Sequence, residues 1–191
     1  MSRKDTDLKK VIAEYGYPPL WVRPNSYETL VLTILEQQVS LASAYAAYKK
    51  LKERLGEIAP VKLLNLSDGE LRACYLSRQK IIYTRLLAEA IMAGNIDLPS
   101  FQDKPDEQVR TELKKIKGIG DWTVDIYLIH ALQRTDIFPI GDLALINAIK
   151  MVKGIKEISK EELTSMSKSW KPLRSMATML FWHYYIKKKN I

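Results

Sequence analysis

The run Glu112-Leu-Lys-Lys-Ile-Lys-Gly-Ile-Gly-Asp-Trp-Thr-Val-Asp-Ile-Tyr-Leu128 holds the residues best placed, by type and spacing, to do chemistry. It reads as two helices joined by Gly118-Ile119-Gly120, and glycine lets a backbone turn tightly and come close to a ligand. Amides opening the second helix can then point outward as donors, forming a concavity suited to a phosphate oxygen. Lys114, Lys115 and Lys117 add positive charge on the approach. A tight turn between two core helices would account for the same glycines, so the hairpin needs support from the rest of the chain. Asp142 stands before Leu143-Ala-Leu-Ile-Asn-Ala148, where on its own it is a good helix N-cap.

Other chemistries are poorly provided for. The one cysteine, Cys74, excludes an internal disulfide, a four-cysteine iron–sulfur cluster and a cysteine-built zinc site, and it fits a reducing compartment. The two histidines, His130 and His183, are too few and too far apart in sequence to favour a histidine metal site or a Ser-His-Asp triad. Among 191 residues, 30 Lys plus Arg against 22 Asp plus Glu give a formal charge of +8, which favours a polyanionic partner. With 47% hydrophobic residues the chain can bury a core and is not disordered as a whole. No apolar run reaches the roughly 20 residues of a membrane span, and Met1-Ser-Arg-Lys-Asp5 leads into polar sequence, so a soluble, cytoplasmic protein is expected, nucleoid-associated if prokaryotic.

The elements that must position these residues read as helices, because alternating strand patterns and hairpin dipeptides are scarce. Tyr27 to Gln38, entered from Ser26, carries Leu30, Ile34 and Leu35 on one face, and Leu41 to Leu55 forms a second helix ending at Gly56. Ser67-Asp-Gly-Glu70 has capping-box spacing, and Ser77 opens an amphipathic run through Ile91 that closes at Gly94. Pro105 at an N1-like position opens Asp106 to Lys115, Trp122 to Gln133 follows the glycine turn, and a short helix starts near Asp142. Ser159-Lys-Glu-Glu162 caps the next helix. The last is expected from about Ser169 to Lys187, with Pro172 in its first turn and Lys187-Lys188-Lys189 as a basic tail. The expectation is an all-α protein, one domain over residues 1–191 built as two helical lobes, with the helix-hairpin-helix at about 106–133.

Leu113-Lys-Lys-Ile-Lys-Gly-Ile-Gly-Asp-Trp-Thr123 is followed by Asp136-Ile-Phe-Pro-Ile-Gly-Asp142, then by Trp170-Lys-Pro-Leu-Arg-Ser175 and Phe181-Trp182, and is preceded by Ile34-Leu-Glu-Gln-Gln-Val-Ser40. In this ordered set, from about Tyr27 to Tyr185, the sequence resembles the helix-hairpin-helix (HhH-GPD) DNA glycosylase superfamily, most of all its 3-methyladenine DNA glycosylase II branch. The resemblance implies a two-lobed helical fold and a monofunctional DNA glycosylase acting on double-stranded DNA with a damaged base. That enzyme flips out an alkylated purine such as 3-methyladenine or 7-methylguanine and hydrolyses its N-glycosidic bond in base-excision repair. The same fold acting on oxidised or deaminated bases, or a non-catalytic helix-hairpin-helix module, are the alternatives.

Residue by residue, the resemblance makes Asp142 the catalytic carboxylate, stabilising the positive charge that develops on the deoxyribose. Trp122 occupies the position where bifunctional members place a Schiff-base lysine, which implies hydrolysis without strand cleavage. Trp122 and Trp182 would line the base pocket, with Ile126 and His183 where that branch often carries tyrosine; a place in the core is the alternative for each. Gln38 matches the residue that fills the gap left by the flipped nucleotide, and Gln37 stands beside it as a probe of the duplex; a solvated amide at a helix end is the alternative. Gly118, Ile119, Gly120 and Lys117 would contact the DNA backbone. Main-chain carbonyls of Lys114, Ile116 and Ile119 would hold a K+ or Na+ ion. No cofactor is required, no iron–sulfur cluster is expected, and the mechanism needs only a monomer. Lys80 with Arg78, Lys171 with Arg174, and the terminal lysines Lys187, Lys188 and Lys189 are further phosphate candidates. The roughly 25 residues before the first clear core helix leave no room for the N-terminal β lobe of longer members, so the pocket walls it supplies are expected to be absent or replaced by Tyr15 to Arg23, with Trp21.

Overall fold

The computed structural model describes residues 5–190. The polar opening Met1 to Lys4, on which the expectation of no leader rests, lies outside the described residues. Among the described residues there are eleven α-helices, one short 3-10 turn at Pro99–Gln102 and no strand. In chain order the helices are α1 (Thr6–Tyr15), α2 (Tyr27–Glu36), α3 (Leu41–Leu55), α4 (Pro60–Leu64), α5 (Asp68–Ala73), α6 (Arg78–Met92), α7 (Asp106–Leu113), α8 (Asp121–His130), α9 (Leu143–Lys153), α10 (Lys160–Lys168) and α11 (Arg174–Lys189). None is long and apolar enough to cross a membrane. The chain divides into two compact units, one of residues 23–132 and the other of residues 1–22 with 133–191.

The unit of residues 23–132 is organised around α2. Seven of its ten residues are buried, and it packs on α3, α6 and α8, because a helix apolar all round is stable only when neighbours surround it. Its polar core residues are satisfied within the unit: Thr33 Oγ1 donates to the Thr29 carbonyl at 2.9 Å and the Tyr27 hydroxyl to the Thr84 carbonyl of α6 at 3.0 Å. Helix α8 is buried without interruption from Thr123 to His130. Its Asp125 accepts from Arg110 of α7 at 2.7 Å, tying together the two helices on either side of the glycine turn.

In the second unit, α11 buries Ser175 and Ala177 to His183 and packs against α1 and α9. Asp5 organises the start of α1: Oδ1 accepts the amides of Asp7 and Leu8 at 3.0 Å each, while Oδ2 accepts the indole N–H of the buried Trp170 at 2.8 Å. Lys153, at the end of α9, pairs with Asp7 at 2.7 Å.

Several boundaries differ from the sequence expectations, each for a physical reason. Pro105 is the N-cap of α7 rather than its first helical residue, with an extended ψ of 147°. Pro172 lies outside α11, in the turn that joins α10 to it, and α11 starts only at Arg174, where Asp136 accepts its backbone amide. The helix after Asp142 is eleven residues long rather than short, and it closes at a left-handed Gly154. Helix α1 was not expected at all; its apolar contacts, Leu8 and Val11, are too few for a periodic signal without the partner that α11 supplies.

Candidate active site

The glycine turn is built by α6, α7 and α8. Gly118 takes φ +93°, and a Cβ added there would lie 2.1 Å from the Tyr83 ring, so both backbone and packing exclude a side chain. Gly120 is different: its φ is −102° and a Cβ would meet nothing within 4 Å, so the protein's own packing does not demand glycine there. It is the exposed N-cap of α8, and no side chain caps that helix, which leaves its first turn with the dipole and donor geometry of an anion site. Lys114 is neutralised by Asp121 at 2.7 Å, and this contact holds the Asp121 carboxyl below the usual range, so the approaching charge comes from the exposed Lys115 and Lys117. Burial raises Asp125 despite the Arg110 guanidinium beside it. Ile119 is buried, and its amide donates to the Ile116 carbonyl at 3.0 Å.

The loop after α2 treats its two glutamines differently. Gln38 is exposed at φ +54°, and the exposed Val39 and Leu41 follow it. Gln37 turns inward: its Nε2 donates to the Gly118 carbonyl at 2.8 Å and to Thr123 Oγ1 at 2.9 Å. The last turn of α2 is also fixed by Lys80, whose Nζ donates to the Leu35 carbonyl at 2.6 Å. This caps a helix end, and the accompanying desolvation lowers the Lys80 pKa. Arg23 grips Glu36 with two bonds of 2.6 and 2.9 Å.

In the other unit, Asp142 is the N-cap of α9 and is 7% exposed. Its Oδ1 accepts the Leu145 amide at 2.7 Å and the Trp182 indole N–H at 2.9 Å. Backbone and side-chain donors therefore converge on one carboxylate oxygen and fix the carboxyl in place. Trp182, expected as a pocket wall, acts on Asp142 through its ring nitrogen. His183 faces the N-terminal segment, its Nε2 3.0 Å from the Tyr15 carbonyl and its ring 6.5 Å from that of Trp21. Arg174 is spent on Asp136, with bonds of 2.8 and 3.0 Å to the two carboxylate oxygens, rather than left for phosphate. In the first unit Trp122 is half-buried at the start of α8, and Ile126 is buried one turn later. A groove of about 550 Å³ near Lys150, Met151 and Tyr185 opens toward the opposite end of α9 from Asp142.

Residues 31–174, which include both the glycine turn and Asp142, match the family model described as HhH-GPD superfamily base excision DNA repair protein. The chain belongs to this superfamily. It is 30% identical over 186 residues to "Putative DNA-3-methyladenine glycosylase YfjP" of Bacillus subtilis, covering 93% of this chain and 65% of that relative. The chain therefore spans just under two thirds of that curated relative's length. Among solved structures it is similar to the Schizosaccharomyces pombe 3-methyladenine DNA glycosylase Mag1 in complex with abasic DNA, with TM-score 0.88 and 27% identity over 97% of this chain and 92% of that one. It is also similar to the DNA-3-methyladenine glycosidase of Bacillus halodurans, with TM-score 0.81 and 30% identity over 99% and 88%.

For an HhH-GPD protein, two site features went unread in the sequence. Tyr83 seats the hairpin glycine, but an aromatic on a helix gives no hint of which backbone it meets. Tyr75 is 63% exposed at φ +66° in the turn between α5 and α6, and it shares a groove of about 280 Å³ with Val39 of the loop after α2 and Ser43 of α3. The signal available was the dipeptide Cys74-Tyr75, an aromatic where the helix before Ser77 has to stop.

Proposed function

We propose that the protein is a monofunctional DNA glycosylase that extrudes an alkylated purine from duplex DNA and hydrolyses its N-glycosidic bond, in base-excision repair. The observation that carries this reading is the buried Asp142 carboxylate, held by Leu145 N–H and Trp182 N–H in a chain of the HhH-GPD superfamily. An alkylated purine leaves readily because the ring already carries positive charge. As the bond to the base breaks, positive charge grows on the deoxyribose, and a preorganised negative group in a dry site stabilises it without reorganising. Water adds to the sugar carbon and loses a proton to solvent, the cationic purine takes the bonding electrons and departs neutral, and an abasic site remains. Trp122 has no amine with which to form a Schiff base, so the strand stays intact. The names of the similar proteins, DNA-3-methyladenine glycosylases, support the substrate class.

The DNA backbone would be held by the first-turn amides of α8 with Gly118, Ile119, Gly120 and Lys117, and Gln38 would fill the gap in the stack. The carbonyls of Lys114, Ile116 and Ile119 are neutral hard oxygens suited to K+ or Na+. An ion there would add positive charge toward a phosphate. A monomer suffices, because every residue invoked belongs to one chain.

The test is to incubate the protein with matched duplexes carrying 3-methyladenine or 7-methylguanine, hypoxanthine, uracil or 8-oxoguanine, and to read abasic sites with and without alkali. Release of the alkylated purine, with strand breaks only after alkali, supports the proposal. Breaks without alkali would refute the monofunctional chemistry, and release of only another base would refute the substrate class. Binding without release of any base would leave a non-catalytic module.

A further inference from the structure

The two glutamines after α2 are adjacent in sequence but do different things, and the difference suggests a mechanical link. Gln37 spends both Nε2 hydrogens on the hairpin, one on the Gly118 carbonyl at 2.8 Å and one on Thr123 Oγ1 at 2.9 Å, across more than eighty residues of sequence. The amide nitrogen of glutamine carries two hydrogens, so one group satisfies both acceptors without introducing a charge. The next residue, Gln38, takes a left-handed φ of +54° and is exposed. That conformation is unfavourable for a side chain other than glycine, asparagine or aspartate, so the surroundings must hold it. The residues before it are fixed independently: Leu35 O by Lys80, Glu36 by Arg23. Gln37 is the last anchor before the exposed loop, and what it is anchored to is the phosphate-facing turn itself.

We infer that Gln37 is a positioning residue that couples the hairpin to the duplex-probing loop, so that seating a phosphate on the Gly118 turn sets the backbone at Gln38 for insertion into the gap. The inference rests on the proposed DNA-glycosylase reading. It goes beyond that reading by giving Gln37 a role distinct from contact with DNA. The Thr123 hydroxyl and the Gly118 carbonyl belong to opposite sides of the turn, so the amide senses its shape rather than one atom. A displacement of the turn is passed to Gln38 through one intervening peptide bond.

The test uses a duplex containing a tetrahydrofuran abasic analogue with 2-aminopurine beside it, so that loop insertion is read by fluorescence and excision is not required. Wild type should change the fluorescence on binding, and Gln38→Ala should abolish most of that change. Gln37→Met keeps the length and apolar stem but removes both donors. It should bind the same duplex within about twofold, because the hairpin amides remain, while its fluorescence change at saturation falls by roughly threefold or more. Thr123→Val removes one of the two bonds and should give an intermediate loss. In single-turnover excision Gln37→Met should slow release by about tenfold with little change in the concentration dependence, the pattern of a misplaced probe. Thermal melting of each variant reports whether it folds. A full fluorescence change by a folded Gln37→Met variant overturns the coupling, as does equal loss of binding and insertion. Absence of any change with wild type overturns the role of the loop itself. Failure of wild type to excise any base in the lesion panel, with insertion intact, would count against the glycosylase reading and leave the coupling standing.

Discussion

Replacing Trp182 by phenylalanine should separate the two ways in which this residue serves Asp142. The indole N–H reaches Asp142 Oδ1 at 2.9 Å, while the Leu145 amide reaches the same oxygen at 2.7 Å. Phenylalanine keeps an aromatic ring in the buried position but deletes this donor, while the N-cap bond from Leu145 remains. The bond exists before substrate binds, so it acts on the rate by fixing the carboxylate's position; a misplacement of about 1 Å can cost about a hundredfold, and the chemical step should slow by roughly ten- to a hundredfold. The smaller ring should also lower folding stability by about 1–2 kcal/mol, which leaves the protein folded at assay temperature. Single-turnover release of an alkylated purine, measured well below the melting temperature, reads the first effect, and thermal melting reads the second. An excision rate within twofold of wild type, alongside a lowered melting temperature, would refute the reasoning and make the indole contact one of packing alone.

Gly118→Ala should disrupt the hairpin most severely of the single changes, because the new Cβ meets the Tyr83 ring at 2.1 Å on a backbone at φ +93°; duplex affinity should fall at least about tenfold, while Gly120→Ala, with open space around it, should lose less. Equal affinities for the two variants in a fluorescence-anisotropy titration would contradict that ordering. Lys117→Gln should weaken DNA binding evenly across sequences and reduce the slope of log affinity against log salt by about one, and an unchanged slope would remove Lys117 from the phosphate contacts. Burial alone would raise Asp136, but the Arg174 guanidinium and amide more than offset it and hold its carboxyl below the usual range. A carboxylate depressed in the folded state adds stability above the unfolded value, near pH 4, and that stability is lost as pH falls through the lower folded value. Arg174→Gln should therefore flatten the loss of stability below about pH 4, by a modest amount because both side chains keep a quarter or more of their exposure. An identical acid profile would show the pair to be inert.

Local signals in the sequence carried much of the helical architecture. Ser26, Ser67, Ser77 and Ser159 each cap the helix that follows, and these starts read directly because capping needs only near neighbours. What the sequence could not show was set by distant partners. Helix α1 depends on α11, and Pro172 is excluded from the last helix by a turn whose end is pinned by Asp136, more than thirty residues earlier. At the site, Asp142 was legible as both cap and carboxylate because the cap is local. The Trp182 indole bond was not, since it spans forty residues. Gln37 and Gln38 look alike in sequence, and only the hairpin eighty residues away makes one an anchor and leaves the other exposed. Lys80 and Arg174, read as phosphate candidates by charge, turned out to hold a helix end and a carboxylate.

The central claim is that Asp142 supplies negative charge to the breaking glycosidic bond, and Asp142→Asn tests it most directly. Asparagine is as good an N-cap as aspartate and its oxygen can still accept from Leu145 and Trp182, so the fold and duplex affinity should persist while the negative charge is lost. Side by side with wild type on a duplex containing an alkylated purine, the variant should bind within about twofold, melt at nearly the same temperature and release base at least roughly a hundredfold more slowly. Release at the wild-type rate by the folded variant would contradict the account.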